Sequence, residues 1–285
     1  MTHATVPELL EVAAGMLGPL RVVGDRSWSH GEAVVLEVIA AGGERAFVKS
    51  HRNDVKFDTE RRAYQEVVPQ LGDQAPRLLG VDEPCRLLVL SAVPGVVATG
   101  LADDPATQQR AGRLLAALHA ADLSPAGAGP GWHRALEERL ERWITRDEGW
   151  LDPAEVRAAR AEVEAARGLE PRLVPAHWDW QPRNWLVDGE AFYAIDFEHL
   201  RPDAWLADLQ KLWWNEWWDR PALRQAFLDG YGATLDDIDP VVFRALAAVH
   251  LLTTIVWSGG HDDPDYAAKA RAGLQVLMSA PGLAR

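Results

Sequence analysis

The chain has 285 residues, of which 48% are hydrophobic and 25% charged, and it contains one cysteine. This length allows one large domain or two modest ones with a good apolar core, and a lone cysteine excludes an internal disulfide. The net charge of -13 disfavours nucleic acid as a partner, because nucleic acids are held mainly by basic side chains. The charge suits a cationic partner, although an acidic surface also simply keeps a protein soluble.

Two features of the sequence bear on location. The first twenty residues lack the basic start and the uninterrupted apolar run of a secretory signal. The longest apolar stretch, residues 241–257, is long enough to approach a membrane span but contains Arg244 and His250. We therefore predict that it is a buried helix, and that the protein is cytoplasmic and has no membrane partner.

The first third of the chain has the pattern of a small antiparallel sheet. Three short apolar runs separated by glycines between residues 21 and 50 predict three consecutive strands. Residues 58–72 then have helical spacing, and two more strand-like runs precede the break at Pro94 and Gly95. The pattern predicts a sheet with one helix that ends near Val93.

Beyond Val93 the sequence is mostly helical. Helical patterns cover residues 103–123, 135–148, 152–168, 221–232, 241–257 and 263–279. Between them, residues 173–200 predict a loop, a strand, a tight turn at Asp188 and Gly189, and a second strand. Residues 124–131 have the composition of a flexible connection. We expect an α+β protein with a small sheet domain at residues 1–93 and a larger helical domain at residues 94–285.

The polar chemistry collects in the predicted hairpin. Residues 177–184 read HWDWQPRN, which fits the kinase catalytic-loop pattern H-x-D-x-x-x-x-N, and Asp196-Phe197 follows on the next strand. Phosphoryl transfer needs a carboxylate that orients and deprotonates the attacking hydroxyl, and oxygen ligands that hold magnesium. We predict that Asp179 serves the hydroxyl. Asn184 and Asp196, which a hairpin brings close together, would bind magnesium.

Two residues of the sheet domain fit the same chemistry. Lys49 ends the third predicted strand, and Glu60 lies in the following helix. In kinases such a lysine bridges nucleotide phosphates while the glutamate fixes its position. Taken singly, a strand lysine is usually just solvated, and a glutamate near a helix start is favoured by the helix dipole alone. Their position ahead of the Asp179 loop favours a nucleotide-binding role for both.

In this order and spacing the chain resembles the aminoglycoside phosphotransferase and choline kinase-like family, often called antibiotic kinases. The resemblance covers nearly the whole chain and rests on FVK at 47–49, LLVLSAVPG at 87–95, LAALHA at 115–120, the Asp179 loop, IDFEH at 195–199 and DL at 208–209. It implies a two-lobed, protein kinase-like fold. It also implies ATP, or GTP, as the phosphoryl donor and Mg²⁺ as the metal.

The resemblance implies further roles. The backbone from Ser91 to Val93 would be the hinge that hydrogen-bonds the adenine, Asp208 would support the catalytic loop, and His177 would brace it. The chain departs from the family at Trp178, which stands where a glycine is usual and is expected to narrow the site.

A second departure is the phosphate-covering loop at residues 27–31, which has a single glycine. There we predict that Ser27, Ser29 and the Gly31 amide donate hydrogen bonds to the β-phosphate.

Residues of the helical domain are expected to contact the substrate. By the same resemblance, Glu198, Asp262 and Asp263 would bind ammonium groups, although an aspartate run before a helix is ordinarily a cap. Most of the thirteen tryptophans are expected in the core, with Trp180 among the few at the ligand. Arg183 is predicted to contact phosphate or substrate, or else a neighbouring carboxylate.

The leading interpretation is a kinase that transfers the γ-phosphoryl group of ATP or GTP to a hydroxyl of a small cationic molecule. An aminoglycoside or a basic cyclic peptide such as capreomycin or viomycin fits, with antibiotic resistance as the role. The alternatives are a metabolite kinase for an amino alcohol, sugar or nucleoside, and an inert nucleotide-binding module. The last is disfavoured because Lys49, Asp179, Asn184 and Asp196 are all present.

Overall fold

A computed structural model describes residues 4–28, 33–123 and 131–279. Ser29 and Gly31, two of the residues predicted to contact phosphate, lie outside the described residues. The same is true of the connection predicted at 124–131, apart from its last residue.

The first part of the chain forms a five-stranded antiparallel sheet. Its strands are β1 (Leu20–Asp25), β2 (Ala33–Ala40), β3 (Arg45–His51), β4 (Leu78–Asp82) and β5 (Leu87–Ser91). They lie in the order β1-β2-β3-β5-β4, so β3 is the central strand. The predicted strands are confirmed, and the end of β3 presents Lys49 in the middle of the sheet.

Two helices pack against this sheet, where the sequence analysis expected one. The expected helix, α2 (Asp54–Arg62), begins where the Asn53 side chain accepts from the Val55 and Lys56 amides at 2.8 and 3.2 Å. It continues into a π-helical turn and a 3₁₀ segment that ends at residue 74. The additional helix, α1 (Val6–Leu17), starts at a capping box between Thr5 and Glu8. Its buried residues Leu9 and Ala13 belong to a second apolar core with β2, β3 and β5.

The remainder of the chain is mostly helical, as predicted. Its helices are α3 (Pro105–Ala120), α4 (Trp132–Thr145), α5 (Pro153–Ala165), α6 (Leu209–Lys211), α7 (Pro221–Tyr231), α8 (Pro240–Gly260) and α9 (Pro264–Ser279). Helices α3, α5, α8 and α9 each begin at a proline that follows an aspartate, which combines a good cap with a residue that needs no amide partner. Among the described residues, α8 is the one helix long and apolar enough to cross a membrane. However, 72% of its most apolar window is buried inside the protein.

Two small sheets hold the irregular segment that the sequence singled out. One contains β6 (Val96–Val97), β8 (Trp185–Asp188) and β9 (Ala191–Ala194), and the other pairs β7 (Leu173–Ala176) with β10 (Arg201–Ala204). The β8–β9 turn falls at Gly189 and Glu190, one residue later than predicted, because Asp188 ends β8 and pairs with Ala191. Gly189 has a φ of +55°. The catalytic-loop pattern therefore runs from the end of β7 to the start of β8.

The main apolar core lies beneath this segment. It joins α3, α7 and α8 to both small sheets and extends to the inner face of the large sheet. Six tryptophans are buried in it: Trp132, Trp180, Trp185, Trp213, Trp214 and Trp217. The loop that carries the polar motif thus rests on a rigid base.

Candidate active site

The buried carboxylate of Asp208 binds the backbone at the start of the catalytic loop. Asp208 accepts from the His177 amide at 2.8 Å and from the Trp178 amide, and it lies 2.9 Å from His119 Nε2. His177 in turn places its Nε2 3.1 Å from the carbonyl oxygen of Ile195, across the hairpin. Both Asp208 and His177 are buried, so they act on the backbone of the loop.

Asp179 is buried and surrounded by donors. Asn184 Nδ2 donates to its Oδ2 at 2.8 Å, Arg183 Nη2 donates to the same oxygen at 2.9 Å, and the Lys211 ammonium contacts Oδ1. Burial would raise the pKa of Asp179, but the charges of Lys211 and Arg183 lower it well below its usual range. The carboxylate is therefore ionised at neutral pH and can accept a proton or a hydroxyl hydrogen bond.

Lys49 lies among three carboxylates from distant parts of the chain. Its Nζ is 2.9 Å from Glu60 Oε2, 2.6 Å from Asp196 Oδ1 and 3.0 Å from Glu198 Oε2. Burial alone would lower the pKa of Lys49, but Asp196, Glu60 and Glu198 raise it well above its usual range. The structure thus brings the predicted lysine, helix glutamate and strand aspartate together around one permanent positive charge.

The two predicted magnesium ligands are neighbours across the hairpin. The Ile195 amide donates to the carbonyl oxygen of Asn184 at 3.0 Å, so Asp196 follows directly on the residue that pairs with Asn184. The Asn184 Nδ2 group is used on Asp179, which leaves the amide oxygen for a metal. Asp196 has a left-handed φ of +68°, and its side chain remains 32% exposed. An amide oxygen and an accessible carboxylate suit Mg²⁺, so the residues present fit the metal.

Glu198 does not have the position expected for a substrate carboxylate. Its oxygens lie 3.0 Å from Lys49 Nζ and 2.8 Å from Lys56 Nζ. Burial opposes ionisation of Glu198, but the charges of Lys49 and Lys56 lower its pKa. Its negative charge is therefore committed to the lysine cluster and is not presented to an ammonium group of a substrate.

Two tryptophans also differ from expectation. Trp180 is 1% exposed and packs between His177 and Trp185, with ring centres 5.4 and 5.8 Å away, so its side chain belongs to the core. Trp178 adopts a φ of +65° in place of the usual glycine. Its indole turns toward Asp203, to which it donates at 3.2 Å, and does not narrow the site.

The remaining predicted residues occupy the rim. Arg183 pairs with Asp179, and its Cζ lies 5.0 Å from the ring centre of Trp28, an exposed side chain of the sheet domain. Ser27 Oγ accepts from the Val35 amide at 2.9 Å, which joins the start of the phosphate-covering loop to β2.

At the hinge, the Ser91 amide donates to the Arg77 carbonyl at 2.9 Å. An adenine would therefore have to find its amide donor further along, at Val93. At the α8–α9 turn, Asp263 accepts from the Tyr266 amide at 3.1 Å and so caps α9, while Asp262 is exposed.

Sequence reasoning missed two residues of the site. Lys211 contacts Asp179 from α6, and His51 places its Nε2 2.6 Å from Glu60 Oε2. A signal existed for His51, because residues two apart on a strand share a face and Lys49 points into the site from the same strand. No comparable spacing marked Lys211, whose contact depends on how α6 leaves Asp208.

A buried strand lysine paired with a helix glutamate and facing an H-x-D-x-x-x-x-N loop defines a phosphotransferase of the protein kinase-like class. Residues 29–245 match the Phosphotransferase enzyme family, and the chain belongs to that family. It is a small-molecule phosphotransferase, and its two-lobed fold is the one predicted. A comparison with curated protein sequences found no match.

Solved structures with the same fold are distant in sequence. A choline/ethanolamine kinase family protein from Mesorhizobium loti aligns with a TM-score of 0.67 and 20% identity, covering 95% of this chain and 91% of that one. A macrolide 2'-phosphotransferase from Brachybacterium faecium gives 0.60 and 20%, covering 98% and 99%. A thermostable mutant of aminoglycoside phosphotransferase APH(4)-Ia, solved with AMP-PNP and hygromycin B, gives 0.72 and 16%, covering 94% and 97%.

Proposed function

We propose that the protein transfers the γ-phosphoryl group of ATP to a hydroxyl of a small molecule, with Mg²⁺ and without a covalent enzyme intermediate. The observation that carries this proposal is that Lys49 Nζ lies within 3.0 Å of a carboxylate oxygen of both Glu60 and Asp196, beside the ionised Asp179. The AMP-PNP in the APH(4)-Ia complex supports an adenine nucleotide as donor. GTP is the alternative donor, because the predicted hinge contact is made by backbone groups, which can hydrogen-bond either purine base.

Each residue has a distinct role in the proposed reaction. Lys49, held by Glu60, binds the nucleotide phosphates, and Asn184 and Asp196 hold magnesium, which neutralises charge on the phosphates when bound. Asp179 orients the acceptor hydroxyl and takes its proton. Lys211 and Arg183 keep Asp179 ionised, and Arg183 at the rim is also placed to contact a phosphate.

The acceptor is proposed as a cationic antibiotic, with an amino alcohol, sugar or nucleoside metabolite as the second candidate. The net charge of -13 and the exposed Asp262 beside Asp263 favour a cation. The commitment of Glu198 to Lys49 and Lys56 favours a neutral metabolite such as a sugar or nucleoside, because it removes the carboxylate expected closest to the chemistry. A role in resistance belongs to the antibiotic version of the proposal, and a cytoplasmic location is proposed for either version.

The proposal is tested by measuring nucleotide consumption by the purified protein across a panel of cationic antibiotics and hydroxylated metabolites, with ATP and GTP in parallel. The best acceptor is then used with Asp179→Asn, which should lower kcat by roughly 10²-fold or more while nucleotide affinity stays nearly unchanged. Asp188→Asn, an exposed carboxylate at the tip of the same hairpin, is the matched control. Full turnover by Asp179→Asn would remove Asp179 from the mechanism.

A further inference from the structure

The indole of Trp178 is enclosed by two guanidinium groups on the α4 side of the catalytic loop. The Arg139 Cζ atom, from α4, lies 3.8 Å from the ring centre, and the Arg201 Cζ atom, from β10, lies 3.9 Å from it. Two planar groups that close to one ring centre occupy its opposite faces. Each contact is a favourable cation–π interaction, but neither neutralises the charge of the arginine.

Two carboxylates, Asp203 and Asp208, act on Arg201. Asp203 lies 3.4 Å from Arg139 Nη2, and it also accepts from the indoles of Trp132 and Trp178 at 2.7 and 3.2 Å. Arg142, three residues further along α4, adds a third positive charge that acts on both other arginines. The cluster thus has three arginines and two carboxylates, and the third arginine, Arg142, is exposed.

Part of the hydrogen-bonding capacity of this cluster is unused. Within the described residues, Arg139 Nη1 and Arg201 Nε are buried and have no hydrogen-bond partner. Burial lowers the pKa of both arginines, yet a guanidinium does not give up its proton in a protein. A buried cation without enough partners is costly, and a bound anion removes that cost.

We propose that Arg139, Arg142 and Arg201 form a second anion site, separate from the cleft at Asp179, for a tetrahedral oxyanion of the phosphate class. Guanidinium groups bind such oxygens with paired, charge-assisted hydrogen bonds. By fixing the two arginines, the anion would also fix the indole of Trp178 between them. Trp178 is the residue before Asp179; its backbone is left-handed, and its amide donates to Asp208. A bound anion would therefore stabilise the catalytic loop from the side that faces α4.

The test is a titration of the full chain with inorganic phosphate, in which sodium chloride keeps the ionic strength constant. The thermal midpoint Tm is measured at each phosphate concentration. Tm should rise by several degrees and then saturate, because a ligand that binds only the folded state stabilises it. Arg201→Gln should abolish the rise. Arg142→Gln alters an exposed side chain and should raise the half-saturating phosphate concentration roughly fivefold, as expected for one lost charge-assisted contact.

Two further variants distinguish this site from the catalytic cleft and from a general effect of surface charge. Arg183→Gln removes the arginine of the catalytic cleft and should leave the phosphate response intact. Arg160→Gln removes the same charge from an exposed arginine of α5 that pairs with Glu141, and it should also respond like the unmodified protein.

Three outcomes would overturn the proposal. The first is a rise lost in Arg183→Gln but kept in Arg142→Gln, which would place the phosphate in the catalytic cleft. The second is an equal weakening in Arg160→Gln and Arg142→Gln, and the third is the absence of any saturable rise. If Arg201→Gln does not fold, the Arg142→Gln titration decides.

Discussion

The carboxylate of Asp179 contacts Lys211, a lysine that lies outside the catalytic-loop motif. Removing that lysine by Lys211→Met should raise the pKa of Asp179 toward its ordinary value, because the largest opposing charge is lost. Since a base works only when ionised, the acidic limb of the kcat profile should move to higher pH, whereas at neutral pH Asp179 stays ionised and kcat changes much less. The measurement is kcat against pH with the best acceptor. Lys269→Met, at an exposed position on α9, is the control, and an unmoved acidic limb would contradict the role of Lys211.

His51 contacts the same Glu60 oxygen, Oε2, as Lys49 does. It is fully buried, with Nε2 2.6 Å from Glu60 Oε2 and Nδ1 3.8 Å from Glu198 Oε2. We expect His51→Ala to lower kcat/KM for ATP, because Glu60 can then turn away from Lys49. A double-mutant cycle with Glu60→Gln should show a coupling energy of about 1 kcal/mol or more, as contacting residues do. Additive losses would show that His51 does not act through Glu60, whereas Lys49→Met with the remote Asp188→Asn should be additive.

These two residues mark the limit of sequence reasoning at the site. The residues of the catalytic loop could be predicted because Asp179 and Asn184 lie five apart in a fixed pattern, and Asp196 follows within one hairpin. Lys211, in contrast, reaches Asp179 only through the path of the chain after Asp208. At Glu198 the sequence shows the carboxylate but not Lys49 and Lys56, the two cations that pair with it.

Helices α3 and α7 approach each other so closely that their glycines cannot be replaced. A Cβ added at Gly112 would overlap the carbonyl oxygen of Phe227, and one at Gly230 would overlap that of Gln109. Gly112→Ala should therefore lower the free energy of unfolding by about 2 kcal/mol or more, since backbone atoms must separate. Gly15→Ala is the matched control, because this helical glycine of α1 has nothing within 4 Å of its Cβ position. It should instead stabilise by roughly 0.5 to 1 kcal/mol. Equal effects in urea unfolding would contradict the close approach.

Helix α8 carries a buried histidine toward the catalytic loop. Burial lowers the pKa of His250 to about 3, with Lys211 adding to the shift and Asp179 opposing it. The folded protein therefore holds His250 neutral while the unfolded chain protonates it below about pH 6.5. Its contribution to stability is complete above that pH and is lost as the pH falls toward 3, with about 2 kcal/mol lost by pH 5.

His250→Gln should remove this part of the acid sensitivity. The free energy of unfolding is measured by urea denaturation at pH 7 and pH 5, and the decrease should be about 2 kcal/mol smaller in the variant. An identical decrease in both proteins would mean that His250 is solvated and titrates normally in the fold.

The elements themselves were predictable where pattern and cap agreed. The Asp-Pro starts of α3, α5 and α8 are readable in the sequence, and the β8–β9 turn is readable to within one residue. Helix α1 was not predicted, although its capping box between Thr5 and Glu8 is a readable start. The pairing of β7 with β10 joins residues 25 to 31 positions apart across the catalytic loop, and short strands with that separation carry no local signal.

At the scale of the whole molecule, the acidic charge bears on how an acceptor arrives. A net charge of -13 attracts cations over distances comparable with the Debye length, roughly 8 Å at 0.15 M salt. If the acceptor is a polycation, raising the salt concentration should increase its KM far more than the KM for ATP. A neutral acceptor should show no such difference.

Two substitutions distinguish this attraction from the internal charge pairs of the site. Asp262→Asn removes an exposed carboxylate at the α8–α9 turn and should flatten the salt dependence of the acceptor KM while kcat stays unchanged. Glu198→Gln should instead lower kcat/KM for ATP, because Glu198 pairs with Lys49 and Lys56 and does not face solvent as a free charge. The measurement is KM for both substrates between low and physiological salt in the three proteins. An acceptor KM indifferent to salt, or a best acceptor that is neutral, would contradict the cationic antibiotic and leave the metabolite kinase as the function.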